Sequence, residues 1–549
     1  MSELSNRKSP NKKEFQQNDS AANLTVAGIS EINHVRELAG PSNEIIIINT
    51  DHNRPSQPDD DMLTARREKV IAALGDRADM VSIAVQAFNR LEKTKICIDS
   101  ILRWTNDFDY ELILFDNGST DGTLDYFKSI NHPRKKIIRV TKNLGGIVNI
   151  VFNHYSGRYL AYIMGDVYVT KNWLKNLLTC MKSDDTIGMV SPVASNVSLQ
   201  TVDLKFNTLE EMQEKAAAFN TSNPALWQER LALFPAVGLY RREALELGGL
   251  GDTGFHHYLA DNDFSFRIRR AGFKLILCKD TFVHHDHDRN NPQEKNQTEK
   301  NVSFETGRKE FRKKYFGIDA FDDVNNFESS LISLISPEKI SSKNPLSALG
   351  IDVLCGTPLL ELKNKIREYG GKTCQLNAFS SDPRYWLDLH TICDGQVVCD
   401  PIETLSAQFK NQTFDYVLLG KPINAFPNPF ALFRSLLPLL DKNGSLLLKL
   451  HNSYDVFAVL QTCGANLQLS TLNTNPDERF AQVHIDEFVR LMEDSGCYPR
   501  KFLVDNWPLD GNIRDVLKRT IMASGVGINP EEAFTRALIR DYVIEVCKK

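Results

Sequence analysis

Residues 111–114 (Glu-Leu-Ile-Leu) read as a buried strand, and they run without a break into Phe115-Asp116-Asn117-Gly118-Ser119-Thr120-Asp121-Gly122-Thr123. Residues 124–127 then begin like a helix. A strand that ends in carboxylates, small residues and hydroxyls is where an α/β sheet builds a ligand site. The same Asp-Asn-Gly-Ser chemistry also suits a plain tight turn, so the junction needs partners elsewhere in the chain before it means anything.

Those partners recur at regular spacing. Strand-like runs at 81–85, 136–140 and 159–164 alternate with helical patterns, the first carrying Cys97, Ile98, Ile101 and Leu102 on one face. Later strands are predicted at 187–190, 234–240, 275–278 and 281–283, with a helix at 261–271 and a closing segment at 310–316. Alternation of this kind predicts a mostly parallel, helix-covered sheet. With 549 residues, more than one domain is expected. The Ser-rich, Pro-punctuated stretch 328–344 marks the boundary, and a second alternating series starts at Leu349. The resulting division is an extension over 1–78 (disordered to about residue 24, helical over 62–74), a first domain over 79–320, a linker over 321–346 and a second domain over 347–549. Residues 44–48 fit a short strand, 54–61 a linker and 453–549 a mainly helical region.

The ordered motifs of the first domain are Ala87-Phe88-Asn89-Arg90, Asp116 to Thr123, Asn143-Leu144-Gly145-Gly146 and Gly165-Asp166 with Trp173-Leu174 behind it. Asp261-Asn262-Asp263-Phe264-Ser265-Phe266-Arg267 and Val283-His284 complete the series. In this order they resemble the family 2 glycosyltransferases, whose nucleotide-sugar-binding fold is called GT-A. The resemblance implies a nucleotide-sugar donor and an acceptor hydroxyl on a glycan, a lipid-linked glycan or a protein. It also implies a cytoplasmic setting and a part in polysaccharide or glycoprotein assembly.

A departing nucleoside diphosphate carries concentrated negative charge, and a divalent cation such as Mn²⁺ or Mg²⁺ stabilises it. Such a cation needs only one or two protein ligands. By the resemblance these are Asp166 and the late histidine His284, with His285, Asp286, His287 and Asp288 as further candidates. Met164 stands where the family usually has a first acidic residue. Asp116 matches the residue that holds the base or ribose, and Ala87, Phe88, Asn89, Arg90, Gly118, Asn143 and Gly165 surround the donor. Asn89 and Arg90 open a helix whose N–H groups would face an anion. Asp261 aligns with the catalytic base of inverting transfer and Asp263 is its neighbour, although Ala260 replaces the usual Glu. A bland alternative for the pair is helix capping by Asp261 and an i,i+4 ion pair between Asp263 and Arg267.

Residues from about 349 to 452 resemble class I S-adenosylmethionine (SAM) methyltransferases, with defects. Asp352-Val353-Leu354-Cys355-Gly356-Thr357-Pro358 lies where a glycine-rich turn belongs, but keeps only Gly356. The acid expected to hold the ribose is missing, with Asn377 and Ser380 nearby. Asp400, residues 414–419 and residues 437–448 fit better. The expectation is an inactive Rossmann-like unit for acceptor docking or assembly rather than a SAM site.

A net charge of -5 offers nothing to nucleic acid. The ten cysteines form no CxxC pair, which excludes a zinc ribbon or redox motif. No apolar run approaches the roughly 18 residues that cross a bilayer, leaving peripheral membrane association open. The rival readings are a bifunctional glycosyl- and methyltransferase and a non-catalytic carbohydrate-binding scaffold. A nucleotidyltransferase is disfavoured because residues 86–90 lack its Gly-rich basic loop. The sequence leaves the oligomeric state undefined.

Overall fold

The computed structural model describes residues 60–74, 80–143, 148–255, 258–287, 297–342, 345–458, 480–523 and 529–549. The readings made for residues 1–59 and for Leu144, Gly145, Gly146 and Asp288 lie outside these. The helix expected at 62–74 spans Asp60–Leu74.

The first half forms one nine-stranded sheet: β1 (Val81–Ala87), β2 (Tyr110–Asp116), β3 (Lys135–Arg139), β4 (Tyr159–Met164), β5 (Val167–Tyr168), β6 (Ile187–Ala194), β7 (Trp227–Arg230), β8 (Val237–Arg241) and β9 (Lys274–His285). Its order is β3-β2-β1-β4-β8-β6-β9-β5, with β7 also paired to β9. β1 to β4 are parallel, as expected. The expectation of a mostly parallel sheet fails beyond β4, because β8 runs antiparallel to both β4 and β6. Nothing in the short run 237–241 encodes direction. β1 and β2 are buried nearly throughout, which is why they read as continuous apolar runs. Helix Leu91–Trp104 covers the sheet with Cys97, Ile98 and Ile101, and helix Trp173–Lys182 with Trp173, Leu174, Leu177 and Met181. The two strands expected at 275–278 and 281–283 are one twelve-residue strand, β9.

The second half forms a seven-stranded sheet from β10 (Leu346–Ile351), β11 (Cys374–Ser380), β12 (Val397–Cys399), β13 (Phe414–Leu419), β14 (Leu440–His451), β15 (Cys497–Asn506) and β16 (Ile539–Lys548). The order is β12-β11-β10-β13-β14-β16-β15, parallel except for β16, which is antiparallel to both neighbours. The mainly helical expectation for 453–549 therefore needs correction. Tyr542, Val543, Ile544 and Val546 are buried in a sheet strand, and the region carries helices Ile485–Asp494, Gly511–Ala523 and Pro530–Leu538 besides.

The two sheets share a hydrophobic cluster that mixes Phe266 and Phe311 with Leu359, Leu389 and Tyr416. Edge strand β7 meets helix Thr357–Glu368, where Asn364 Oδ1 accepts from the Glu229 N–H at 2.9 Å and Lys363 pairs with Glu229 at 2.8 Å. Asp388, fully buried, pairs with Arg269 and Arg270 at 2.8 Å each. The stretch read as a linker is packed: Leu331, Leu334, Ile335 and Ile340 are buried in the same cluster.

Candidate active site

The carboxyl ends of β1, β2 and β4 meet at one point because their backbones interlock. The Asn117 N–H donates to Ala87 C=O and the Gly165 N–H to Gln86 C=O, both at 2.8 Å. Gly118 sits at φ 85°, and a Cβ there would lie 2.8 Å from the Lys142 carbonyl carbon, so only glycine lets the loop at 142–143 close over this turn. Asn117 Nδ2 donates to Asn143 Oδ1 at 2.7 Å and locks that approach.

Asp116 is completely buried at the end of β2. Its Oδ1 accepts from the Ser119 N–H at 2.8 Å, closing the turn. Arg139 lies 3.1 Å from Oδ2, which nonetheless has no hydrogen bond. Sequence reading missed Arg139, whose signal was its place at the end of the neighbouring strand, in register with Asp116. Asp116 thus closes the turn through one oxygen and pairs with Arg139 through the other.

Asn89 and Arg90 both adopt left-handed backbone, at φ 53° and 60°. The expectation that N–H groups here would face an anion is corrected by the bonds they already make. The Asn89 N–H donates to Ser119 Oγ at 2.9 Å and the Leu91 N–H to Asp121 Oδ2 at 2.8 Å. Asn89 Oδ1 accepts in turn from the Thr120 N–H at 3.0 Å. What remains for a ligand is the Arg90 guanidinium, which reaches Asp166 at 3.1 Å, and the ring of Phe88, which is exposed beside the buried Ala87.

Asp166 follows β4 and sits next to β5. β5 pairs with β9 so that Val167 opposes His285 and Tyr168 opposes His284. Strand alternation sends these two histidines to opposite faces. His285 Nε2 lies 3.6 Å from Asp166 Oδ1, and its buried Nδ1 has no hydrogen-bond partner. His284 instead bonds Ser195 Oγ at 2.7 Å between the rings of Tyr168 and Phe206. Of the two histidines it is therefore His285, and not the expected His284, that lies beside Asp166, since a single position in a strand changes the face. Burial lowers the basicity of His285, with the Asp166 charge opposing it, so the ring is set to be neutral and able to coordinate. Asp286 is taken by Lys93 at 3.2 Å and by the Tyr168 hydroxyl at 2.7 Å. Among the described residues no group of three or more His, Cys, Asp or Glu side chains converges as a self-sufficient metal site.

Helix Ala260–Arg270 brings in the two remaining acids. Asp261 makes no cap hydrogen bond; the N-cap position is Leu259. Asp261 is exposed to solvent, while the protein packed around it raises its carboxyl pKa to about 6. Tyr162 on β4 and Tyr240 on β8 are its neighbours: after burial, the Asp261 charge is what pushes their hydroxyls up. Tyr162 lies four residues before Asp166, so acid and metal candidate flank the end of one strand. Asp263 is placed differently. It is buried, with Arg267 at 2.9 Å on one oxygen and both the Tyr315 hydroxyl and Lys314 at 2.6 Å on the other. Its lone pairs are occupied, which matches the bland alternative rather than a catalytic role.

Residues 82–247 match the family model described as Glycosyl transferase family 2. An uncharacterized glycosyltransferase of Haemophilus influenzae is 32% identical over 116 residues, 20% of this chain and 36% of that protein. The hyaluronan synthase of Pasteurella multocida is 30% identical over 128 residues, 22% of this chain and 13% of the synthase. The chain thus spans well under half the length of either relative. A solved mannosyltransferase from Pyrobaculum calidifontis, in complex with GDP-Man and Mn2+, aligns at 17% identity and a TM-score of 0.30 over 48% of this chain and 66% of that one. The segment that carries Asp116, Gly165 and Asp166, residues 82–247, is a glycosyl transferase family 2 domain.

Proposed function

We propose that the chain moves a sugar from a nucleotide-sugar donor to a hydroxyl, with inversion at the anomeric carbon and with help from a divalent cation. The observation that carries this is the grouping at the end of β4: Asp166 beside His285, and Asp261, with its raised pKa, beside Tyr162. The residues fit a cation. Asp166 would supply an oxygen and His285 its Nε2, which lies 3.6 Å from Asp166 Oδ1, and the diphosphate would complete the shell. An imidazole ligand favours Mn²⁺ over Mg²⁺. When bound, the cation neutralises charge on the leaving diphosphate.

The protein's own part follows from the geometry. Asp116, paired with Arg139, shapes the end of β2 that receives the nucleoside, with the exposed Phe88 following β1. Arg90, already at Asp166, places a second positive charge near the phosphates. Asp261 takes the proton from the acceptor hydroxyl; that oxygen bonds to the anomeric carbon, and the bond to the diphosphate breaks with its electron pair on the diphosphate. A carboxyl with a pKa of about 6 is ionised at neutral pH and more basic than an ordinary aspartate. Asp263 positions the helix instead of touching the acceptor.

The hyaluronan synthase relative favours a glycan as acceptor. No described helix is long and apolar enough to cross a membrane, and we place the chain in the cytoplasm, where nucleotide sugars are used. The second half we read as methyltransferase-like in fold and idle in SAM chemistry. Its strand order, with antiparallel β16 between β14 and β15, supports the fold. Its filled crevice supports the inactivity: Asp352 is bonded to the Ser381 N–H at 2.6 Å and to Lys421 at 3.2 Å.

The test is transfer from a panel of nucleotide sugars by the full chain and by Asp261→Asn. Transfer by the parent and loss of about 10³-fold in the variant is the expected result, within the range for a general base. Full activity in a normally folded Asp261→Asn protein would remove Asp261 as the base.

A further inference from the structure

β15 is the last strand of the second sheet, and it pairs only with β16 among the described strands. Its outer side makes no backbone hydrogen bond among the described residues between Lys501 and Asp505. Natural edge strands are usually blunted by charge, proline or bulges. This one has Pro499 and a register shift before Lys501 and another shift after Asp505, yet between them carries Phe502, Leu503 and Val504 in succession, exposed by 41%, 44% and 42%. Of the sixteen large apolar side chains exposed among the described residues, seven lie between Tyr498 and Met522, so the exposure is concentrated here.

The edge is also regular over a defined window. Register with β16 is uninterrupted from Lys501 to Asp505 and shifts on either side, between Pro499 and Lys501 and between Asp505 and Asn506. The window Lys501-Phe502-Leu503-Val504-Asp505 is complementary to itself when a second copy is laid antiparallel about Leu503. Lys501 then faces Asp505 of the second copy, twice over, Phe502 faces Val504 twice, and Leu503 meets itself on the axis. Pro499 falls outside the pairing. A parallel arrangement would set lysine against lysine and aspartate against aspartate, which cross-strand pairing penalises. The side chains of the charged pair are already held on one face: Lys501 Nζ donates to Leu334 C=O at 2.8 Å, and Asp505 Oδ2 accepts from Ser330 Oγ at 2.8 Å with Lys449 at 3.4 Å and Arg540 at 3.6 Å.

We propose that β15 pairs with β15 of a second copy of this chain, forming a closed two-fold dimer through one continuous sheet of fourteen strands. The contact is smaller than the roughly 800 Å² per partner of a standard interface, so a dimer of about micromolar affinity is expected.

Sedimentation velocity of the full chain from about 1 to 100 μM, concentrations that bracket such an affinity, tests this. The expected result is a concentration-dependent shift from monomer to dimer that stops at dimer. Leu503→Lys sets two like charges on the axis and is expected to stay monomeric with an unchanged thermal melt. Lys501→Glu is expected to be monomeric too, and the swap Lys501→Glu/Asp505→Lys to dimerise again, a recovery that general destabilisation would not produce. A parent protein that stays monomeric throughout the range, a dimer that persists in Leu503→Lys, a swap that fails to recover, or growth beyond dimer would each overturn the proposal.

Discussion

The two sheets end in opposite ways at their carboxyl edges. In the first, Asp166 Oδ1 and His285 Nε2 stand 3.6 Å apart and Asp261 is open to solvent. In the second, the carboxylate that follows β10 is bonded within the protein. Asp352 turns back to Ser381 and Lys421, and Gly420 packs so closely that a Cβ would lie 2.2 Å from the Asp352 carbonyl oxygen. From the connecting stretch, the Asp323 C=O accepts from the Cys355 N–H at 3.3 Å, and Asn326 Nδ2 donates to Val353 C=O at 3.3 Å. The two halves teach that the polar ends of parallel strands can face solvent or be bonded within the protein. What the second half retains is its packing surface, and it spends that surface on the first half.

The comparison breaks most visibly at Asp261. Asp261→Asn is expected to lower kcat about 10³-fold, and in the parent kcat should fall tenfold per pH unit below about 6. The sign follows from the raised pKa: the base is ionised above that value and protonated below it. A pH–rate profile checks it, and a flat profile from pH 5 to 7 would move the base elsewhere. Asp166→Ala is next, with an expected loss of about 10²-fold in kcat, as for removal of one electrostatic stabiliser. His285→Ala should raise the Mn²⁺ needed for half-maximal activity more than His284→Ala does, which sharpens the correction made by strand parity.

Stability gives the third contrast. Asp388→Ala leaves Arg269 and Arg270 at the domain junction without their carboxylate, and loss of a buried partner costs about 3–5 kcal/mol. Chemical denaturation is expected to show that loss in one transition for both halves, because they share a core. Two separate transitions would mean that the halves fold independently. The smallest effect belongs to the second crevice: Asp352→Ala is expected to leave transfer within twofold of the parent, measured in the same assay.

Much of this was legible in the residues. Continuous apolar strands such as β1 and β2 announce themselves, and β4 falls at the residues expected, 159–164. The Asp116 turn and the Asp263–Arg267 pair were readable because both are local, at separations of three and four residues. Direction and parity were not. The reversal at β8 depends on which strand it meets, and the choice between His284 and His285 depends on pairing with β5 across more than a hundred residues. β15 and β16 were hidden for the same reason: a strand completed by a distant partner carries no helical or turn signal of its own. The Asp388 junction lay beyond any motif, since it joins residues over a hundred positions apart.

The most direct measurement is calorimetric titration of the full chain with nucleoside diphosphates and, separately, with SAM, each with and without Mn²⁺. The account expects one nucleoside diphosphate to bind in the presence of Mn²⁺, that binding to be lost in Asp166→Ala and kept in Asp352→Ala, and SAM to give no heat of binding. Saturable SAM binding, or nucleotide binding indifferent to Asp166, would contradict it.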